Sequence, residues 1–225
     1  MYNLKNNNIN LLVDFDSTFV TVETIDEIAK LSCDDKTIAK IKQITKSAMA
    51  GKLSFSEALS KRVKLINANK IHISKIINLL KTKISSSILL NKEFIINNSE
   101  RIFIISGGFK EIIYEIVRDF HIKEENVFAN EFIYNEKGVI INIDKNNPLS
   151  KNMGKVLIAD KFKGYNIIVG DGYTDFEIKK FNKAKEFIQY TETVNRKNIN
   201  CKADYIAGDF NKVISLIKKI HKDVN

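Results

Sequence analysis

Two carboxylates lie one residue apart at the end of a short apolar run. Residues 11–13, Leu-Leu-Val, have the composition of a strand buried on both faces of a parallel sheet, and Asp14 and Asp16 follow them. Because side chains alternate along a strand, we expect the two acids to point the same way, toward the crevice at the carboxyl end of the sheet. Two acids so close repel each other unless a cation or a proton lies between them. The pair is therefore a candidate site for metal-assisted chemistry.

Polar, loop-forming residues follow two further apolar runs. A Ser-Gly-Gly sequence beginning at Ser106 comes after the predicted strand 101–105, and a Gly-Asp-Gly sequence containing Asp171 comes after the predicted strand 166–169. Between them, Lys155 follows a glycine at the start of a predicted helix. Each feature alone is ordinary, since Gly-Asp-Gly is often only a turn and a lysine near a helix start is usually solvated. Their order, with each at a strand end or a helix start, indicates a phosphoryl-transfer site.

In such a reaction one carboxylate can attack phosphorus while a second acid handles the protons. Asp14 is the candidate nucleophile. Asp16 can protonate the leaving alcohol and later deprotonate the hydrolytic water. The Ser106 hydroxyl, the Gly107 backbone N–H and the Lys155 ammonium can hold the phosphoryl oxygens.

The same chemistry indicates the metal. Asp171 can complete an oxygen-rich set with the first two acids, and Mg²⁺ prefers carboxylates and water to His or Cys. The chain has no Cys-x-x-Cys pair and no His at zinc-ligand spacing, so Cys33 and Cys201 are expected to be free thiols. We therefore expect Mg²⁺ as the cofactor.

Between the first strand and residue 85 the pattern is helical. Helices are predicted over 24–31, 35–49, 54–66 and 73–81, and the first and third open on capping-box sequences. No strand pattern interrupts this stretch. Residues 20–83 are therefore predicted to form a helical cap domain, inserted after strand 1, that can close over the site.

From residue 86 onward strands alternate with helices. The predicted elements are helices over 87–97, 109–120, 152–162 and 211–221 and one ending at 181, strands over 101–105, 166–169, 187–190 and 205–207, and extended segments over 127–129, 131–134 and 139–143 that suggest a hairpin. This alternation predicts an α/β fold with a Rossmann-like parallel sheet covered on both faces. Residues 1–19 and 84–225 form the predicted catalytic core.

Length and composition are those of an ordinary globular protein. The 225 residues suffice for one α/β core and a small accessory domain. The chain has no apolar run that could cross a bilayer and no signal-peptide pattern, so we expect a cytoplasmic protein without a membrane partner. The net charge of +9 comes from Lys and Arg scattered along predicted helices without a dense basic stripe, which argues against a nucleic-acid partner.

Four segments resemble, in order, the four motifs of the haloacid dehalogenase-like (HAD) phosphatases. They are Asp14-Phe-Asp-Ser-Thr18, Ser106-Gly-Gly-Phe109, Gly154-Lys155 and Gly170-Asp-Gly-Tyr-Thr-Asp175. Further segments are similar to the phosphoserine phosphatase family of that superfamily, and most of them belong to the cap. They are Glu23-Thr-Ile-Asp-Glu-Ile-Ala29, Met49-Ala-Gly-Lys-Leu-Ser-Phe55, Ser60-Lys-Arg-Val63 and, outside the cap, Val127-Phe-Ala-Asn130. Tyr173 departs from the pattern, because it is bulkier than the small residue common at that position.

The resemblance implies a role for each acid of the motifs. Asp14 becomes a transient aspartyl-phosphate and also binds Mg²⁺. Asp16 is the acid and base, and its backbone carbonyl binds the metal. Asp171 is the third protein ligand of the metal, and Asp175 supports the site from behind these ligands or through water.

The resemblance also implies the residues that bind the substrate. Glu23 holds an amino group, and Arg62 holds a carboxylate through a bidentate pair. Met49 and Phe55 wall the pocket and exclude water when the cap closes. Thr174 lies near the phosphate.

The implied function is Mg²⁺-dependent hydrolysis of O-phospho-L-serine to L-serine and phosphate, the last step of serine biosynthesis, by a monomer or homodimer. Two alternatives stay open. The protein could act as a phosphotransferase or on another small phosphomonoester with the same two acids. It could also lack enzymatic activity and bind a ligand or nucleic acid through its positive charge.

Overall fold

A parallel sheet with helices on both faces forms the centre of the molecule. The structure, a computed structural model, describes residues 2–5, 7–49 and 52–224, apart from the side chains of Met49, Asp223 and Val224. The strands are β1 (Ile9–Val13), β2 (Ile102–Phe109), β3 (Val127–Asn130), β4 (Phe132–Tyr134), β5 (Ile140–Ile143), β6 (Tyr165–Gly170), β7 (Glu186–Tyr190) and β8 (Tyr205–Ala207). Six of them form one parallel sheet in the order β3-β2-β1-β6-β7-β8, and β4 and β5 form an antiparallel pair. The predicted α/β fold is confirmed.

Helices account for most of the remaining chain. They are α1 (Thr24–Ser32), α2 (Asp35–Met49), α3 (Phe55–Leu65), α4 (Lys70–Lys81), α5 (Ser86–Leu90), α6 (Lys92–Asn97), α7 (Lys110–Val117), α8 (Gly154–Ala159), α9 (Tyr173–Lys180), α10 (Lys197–Asn200) and α11 (Phe210–Val224). No helix among the described residues is long and apolar enough to cross a membrane. Cys33 and Cys201 are free, as predicted.

The central strand buries its side chains on both faces of the sheet. Leu11 and Val13 belong to one apolar cluster and Leu12 to a second, as the alternation of side chains along a strand requires. Buried residues of α7 and α11 belong to the first cluster, and those of α8 and α9 to the second. The two helical layers thereby hold the carboxyl ends of β1, β2 and β6 at one edge, where ligands bind in such sheets.

Helices α1–α4 lie between β1 and β2, and the two connections that join them to the sheet run side by side. Val20 and Ile84 form an isolated antiparallel bridge. The Thr21 N–H donates to the Lys83 carbonyl at 2.8 Å, and the Ser85 N–H donates to the Phe19 carbonyl at 2.9 Å. Most buried apolar residues of this insertion belong to the first apolar cluster.

The two predicted capping boxes have different outcomes. At Ser54 the reciprocal bonds with Glu57 are present and open α3. Helix α1 also begins at Thr24, but its N-cap residue is Glu23 and no side chain caps it. The Thr24 hydroxyl donates to Asp16. The helix prediction is right there and the capping prediction is wrong.

Several element boundaries differ from the sequence prediction. Strand β2 continues to Phe109 rather than ending at 105, so that the Ser-Gly-Gly sequence lies in an irregular part of the strand. Residues 127–130 join the edge of the main sheet, while the hairpin consists of β4 and β5. The predicted helix 87–97 breaks at Asn91, whose side-chain amide donates to the Ser87 carbonyl and competes with the helical backbone.

Candidate active site

A pocket of about 990 Å³ opens at the carboxyl ends of β1, β2 and β6. Every site residue predicted from the sequence lines it, with Met49 as the exception because its side chain lies outside the described residues. These lining residues are Asp14, Asp16, Glu23, Phe55, Arg62, Ser106, Gly107, Lys155, Asp171, Thr174 and Asp175. The bulky Tyr173 also lines the pocket and is about half exposed.

Asp14 stands where the chain leaves the central strand. Its N–H donates to the Val169 carbonyl of β6 at 2.9 Å, and its Oδ1 accepts from the Phe15 N–H at 2.8 Å. The segment Phe15–Phe19 is a wide helical turn in which Ser17 adopts a left-handed conformation, with φ 56°. Asp14 and Asp16 therefore reach the same pocket through this turn, and the expected alternation along a continuing strand is wrong.

Three buried carboxylates meet at this edge of the sheet. Asp14, Asp171 and Asp175 each offer an oxygen within 4.8 Å of the others. The Lys155 ammonium lies 2.7 Å from Asp14 Oδ1 and 2.7 Å from Asp175 Oδ1. The Arg196 guanidinium Nε donates to Asp171 Oδ2 at 2.6 Å. Two cations thus face three acids at this point.

The repulsion that remains among these acids shifts their pKa values. Burial and then the charge of Asp175 raise the pKa of Asp14 well above its usual range, although Lys155 opposes them. Burial raises the pKa of Asp171 to about 6. The Arg196 guanidinium opposes this rise, and the nearby acids Asp175 and Glu23 add to it. For Lys155, burial disfavours the ammonium, but Asp14 and Asp175 hold its pKa above the usual value.

The acidic cluster fits a divalent cation. Its donors are carboxylate oxygens, which hard cations prefer, and an added positive charge would relieve the repulsion that raises these pKa values. The Asp175 carboxylate lies close to those of Asp14 and Asp171, and both of its oxygens accept hydrogen bonds, from Lys155 and from the Gly172 N–H. The supporting role of Asp175, and metal binding by the Asp16 carbonyl, stay predictions.

Asp16 occupies a separate part of the pocket. Its Oδ1 accepts from the Thr24 hydroxyl, and its Oδ2 lies 3.6 Å from the position that a Cβ on Gly108 would take. Burial and then the nearby Glu23 charge raise the pKa of Asp16 to about 7, against the hydrogen bonds from Thr24. A carboxyl group with this pKa can both give and take a proton near neutrality.

The irregular end of β2 forms a cradle of small groups. The Ser106 hydroxyl accepts from the Gly108 N–H at 3.0 Å, so its own proton can point into the pocket. The Asn130 side chain donates to the Gly107 carbonyl at 2.9 Å. A Cβ on Gly107 would lie 2.8 Å from Phe55 Cζ, so the ring of the insertion packs directly on this glycine. The absence of a side chain at Gly107 allows that approach.

The strand-to-helix turn after β6 places Asp175. The Gly172 N–H donates to Asp175 Oδ2 at 3.1 Å, which leaves Oδ1 for Lys155. A Cβ on Gly170 would overlap the Asp175 side chain. Asp175 thus folds back over the end of the strand, and this geometry requires glycine at position 170.

The two residues predicted to bind the charged groups of the substrate, a glutamate and an arginine, come from the insertion. Glu23 Oε1 accepts from the Ser17 hydroxyl at 2.8 Å. Arg62 makes two long hydrogen bonds, from Nε to the Ala58 carbonyl at 3.3 Å and from Nη1 to Thr45 Oγ1 at 3.4 Å. Burial lowers the pKa of Arg62, and Glu23 opposes this effect. The insertion therefore contributes a carboxylate and a guanidinium to the pocket.

The polar contacts of two pocket residues, Arg196 and Asn152, were not predicted from the sequence. Arg196 bonds Asp171, and its Nη2 lies 3.6 Å from Glu23 Oε1, so it lies between the acidic cluster and the insertion. Asn152 accepts from the Ser56 N–H at 3.1 Å, which joins the start of α3 to the loop before Lys155. Neither residue lies in a recognisable motif.

Comparisons with known proteins agree with this geometry. No family model matches the chain. The chain is 34% identical over 182 residues to the phosphoserine phosphatase of Methanocaldococcus jannaschii, covering 77% of this chain and 81% of that protein. It is 30% identical over 208 residues to the chloroplastic phosphoserine phosphatase of Arabidopsis thaliana, covering 90% and 69%. A solved phospho-aspartyl intermediate analogue of phosphoserine phosphatase is similar with a TM-score of 0.74 and 27% identity, over 93% of this chain and 98% of that chain.

Proposed function

The chain belongs to the phosphoserine phosphatase family of HAD-like hydrolases, and from this premise we propose that it hydrolyses O-phospho-L-serine to L-serine and phosphate. One observation carries the proposal. A buried carboxylate held by a lysine faces the same pocket as a carboxylate and a guanidinium suited to the two charged groups of an amino acid. Asp14 is the first of these groups, and Glu23 and Arg62 are the others.

In the first step the Asp14 carboxylate attacks phosphorus. Its Oδ1 is held by Lys155 and by the Phe15 N–H, so Oδ2 forms the new bond to phosphorus. The bond from phosphorus to the serine oxygen breaks, and Asp16 gives its proton to that oxygen. In the second step Asp16 takes a proton from water, the water oxygen bonds to phosphorus, and the bond to Asp14 breaks. The pKa of about 7 suits Asp16 for both steps.

Three groups hold the phosphoryl oxygens during both steps. The Lys155 ammonium is fixed between two carboxylates and stays charged at neutral pH. The Ser106 hydroxyl and the Gly107 N–H come from the cradle at the end of β2. We assign Thr174, at the start of α9, to the same phosphate because it lines the pocket beside the acidic cluster.

We propose Mg²⁺ as the metal, held by Asp14, Asp171 and the Asp16 backbone carbonyl, with Asp175 supporting these ligands from behind or through water. When bound, the ion neutralises charge between the carboxylates and the phosphate and polarises the phosphoryl oxygens. The chain's own contribution is to orient the ligands. Lys155 fixes Asp14 and Asp175, and Arg196 fixes Asp171.

Substrate selection is assigned to the insertion. The Glu23 carboxylate, oriented by Ser17, receives the substrate ammonium, and Arg62 receives the substrate carboxylate. Phe55 closes over Gly107 and excludes water, and we assign Met49 to the same wall. The proposed cap covers residues 20–83, and the bridge between Val20 and Ile84 at its base supports this boundary. Residues 1–19 and 84–225 form the proposed core.

The proposed setting is the cytoplasm, with the protein as a monomer or homodimer and with no nucleic-acid or membrane partner. The scattered distribution of Lys and Arg supports this proposal. Salt-sensitive binding of DNA or RNA, seen as a shift in electrophoretic mobility that persists in the Asp14→Asn variant, would contradict it.

The proposal is tested by phosphate release from L-phosphoserine in the presence of Mg²⁺, beside phosphothreonine, phosphoethanolamine and p-nitrophenyl phosphate. We expect a strong preference for phosphoserine that is lost with EDTA and in Asp14→Asn. Glu23→Gln and Arg62→Ala should each raise the KM for phosphoserine by about tenfold or more, since each removes a charged hydrogen-bonding partner.

Matched controls come from α1, which directly follows Glu23, and from α3, which contains Arg62. Glu27→Gln changes a carboxylate of α1 that pairs with Lys30, and Lys64→Ala removes an exposed charge of α3. We expect both to keep the wild-type KM. Unchanged phosphoserine turnover in Glu23→Gln and Arg62→Ala would refute the substrate assignment. Transfer of phosphate to added homoserine in place of water would favour a phosphotransferase.

A further inference from the structure

The segment between β7 and α10 connects two distant parts of the molecule. It runs from Thr191 to Arg196 without regular secondary structure. The Thr191 N–H donates to the Ala207 carbonyl at 2.9 Å, and the Gln189 side chain donates to the Arg196 carbonyl at 3.1 Å. The two ends of the segment are therefore anchored to β8 and β7 of the sheet.

One end of this segment carries Glu192, which binds the chain returning from the insertion. Glu192 Oε1 accepts from the Ser86 hydroxyl at 2.9 Å and from the Ser87 N–H at 3.2 Å. Its Oε2 accepts from the Ser87 hydroxyl and from the Tyr190 hydroxyl. The returning chain at Ser85 in turn pairs with Phe19, next to the outgoing chain.

The Glu192 carboxylate is ionised in this cluster. Burial opposes its charge, but the hydrogen bonds from Ser87, Tyr190 and Ser86 outweigh this effect and lower the pKa of Glu192 to about 2. The Ser87 hydroxyl also accepts from the Phe210 N–H at 2.8 Å. The cluster therefore ties the segment, the returning chain and the start of α11 to one charged group.

The other end of the segment carries Arg196, which reaches the active site. Its guanidinium bonds Asp171 of the acidic cluster and lies 3.6 Å from Glu23 of the insertion. Glu23 directly follows the outgoing chain, which is hydrogen-bonded to the returning chain at residues 83–85. The distance between Glu23 and Asp171 therefore depends on where the returning chain is held.

We infer that Glu192 is a positioning residue, which fixes the insertion relative to the Arg196 segment and so sets the separation between the amine-binding and metal-binding acids. This inference rests on the proposed function for the role of Glu23. Glu192 itself touches no substrate group. Ser86 and Ser87 begin α5, just after the insertion, so the effect of Glu192 passes through the paired chains at the base of the insertion toward Glu23. On the other side it passes through the segment to Arg196.

If Glu192 had a purely local role, its substitution would change stability but not the kinetic constants. The Ser87 N–H lies at the start of α5, so Glu192 could serve only to cap that helix. In that case a folded variant would lose thermal stability and keep its kinetic constants. A positioning role changes the KM of a substrate held by the insertion and spares one that lacks the ammonium and the carboxylate.

The test compares Glu192→Gln with Asp209→Asn. Asp209 Oδ1 accepts from the Lys212 N–H at 2.7 Å at the start of α11, so this control also weakens a helix-capping carboxylate but leaves the returning chain intact. We expect Glu192→Gln to raise the KM for phosphoserine about fivefold or more, with kcat and p-nitrophenyl phosphate turnover within about twofold of wild type. Asp209→Asn should keep both KM values.

A second measurement is independent of activity. Hydrogen–deuterium exchange should be faster at residues 82–87 in Glu192→Gln than in wild type or Asp209→Asn, because the returning chain loses its anchor. If Glu192→Gln does not fold, Tyr190→Phe removes one of the donors and should give the same changes with smaller amplitude.

An unchanged KM for phosphoserine in folded Glu192→Gln, or an equal loss with both substrates, would overturn the inference. Unchanged exchange at residues 82–87 would overturn it as well. If wild type fails to hydrolyse phosphoserine, the proposed function is what fails, and the exchange comparison still decides whether Glu192 holds the insertion.

Discussion

Arg196→Gln isolates the guanidinium that faces the acidic cluster. Arg196 Nε lies 2.6 Å from Asp171 Oδ2, and the Asp171 side chain is 5% exposed while that of Arg196 is 22% exposed. Leaving a buried charge without its partner costs roughly 3–5 kcal/mol in comparable cases. Because Arg196 is partly solvated and Asp171 can take up a proton, we expect a loss of about 2 kcal/mol in the metal-free protein at pH 8.

Metal and pH each change the size of this loss in a defined direction. The folded-state pKa of Asp171, about 6, lies above the usual value for an aspartic acid, so the folded protein loses stability as the pH rises toward 6 and Asp171 ionises. Removing Arg196 raises this pKa further. The destabilisation of Arg196→Gln relative to wild type should therefore be small at pH 5 and should grow as the pH rises through 6. Saturating Mg²⁺ supplies the missing positive charge and should reduce the loss below about 1 kcal/mol.

The assay is thermal unfolding of wild type and variant with EDTA and with Mg²⁺, at pH 5 and pH 8. A loss of 2 kcal/mol corresponds to about 4–8 °C in Tm for a chain of this size. Arg118→Gln is the control, since Arg118 pairs with Glu115 on the surface and should shift Tm little under any condition. An equal loss for Arg196→Gln in EDTA and in Mg²⁺, or an equal loss at both pH values, would refute the electrostatic reasoning.

Three further substitutions test other contacts of the site. In Gly107→Ala the new Cβ would lie 2.8 Å from Phe55 Cζ, so initial rates should show a rise of about tenfold in the KM for phosphoserine, with partial recovery when Phe55→Leu is added. Gly170→Ala would displace Asp175, so both phosphate release and the rise of Tm with Mg²⁺ should be lost, and intact Mg²⁺ stabilisation would count against this geometry. Asp14→Asn should lower kcat at least about 10³-fold in a folded protein, and residual turnover near the wild-type rate would exclude Asp14 as nucleophile.

The positions of the candidate site could be predicted because each lies beside a strong local signal. A short apolar run marks the strand before Asp14, and glycines mark the ends of β2 and β6 beside Ser106 and Asp171. The parallel connection of these strands brings their carboxyl ends together. The local sequence patterns and the parallel connection of the strands are thus sufficient to predict that most of these pocket residues lie together.

The contacts that could not be predicted from the sequence are long-range contacts in which a side chain has more than one possible partner. Thr24 was predicted to cap helix α1, but the helix begins one residue earlier than that role requires, with Glu23 at the N-cap position. Its hydroxyl donates to Asp16, which the turn after β1 brings within reach. Arg196 lies in an irregular segment with no periodic pattern, and its partners are fixed by the order of β6 and β7 in the sheet. Such partners depend on tertiary packing, which propensity and spacing do not encode.

The central place of β1 in the sheet also has a consequence for how the protein is made. Leu11 pairs with Ile102 on one side and with Ile167 on the other, so the strand that carries the nucleophile leaves the ribosome long before either neighbour. At roughly 5–20 residues per second, the wait for β6 is on the order of ten seconds. During that time an apolar strand has two open edges and depends on the growing chain, or on chaperones, to avoid aggregation. The pairing that finally closes both edges is also the pairing that brings Asp171 to Asp14, so catalytic competence is expected to appear late in folding rather than gradually.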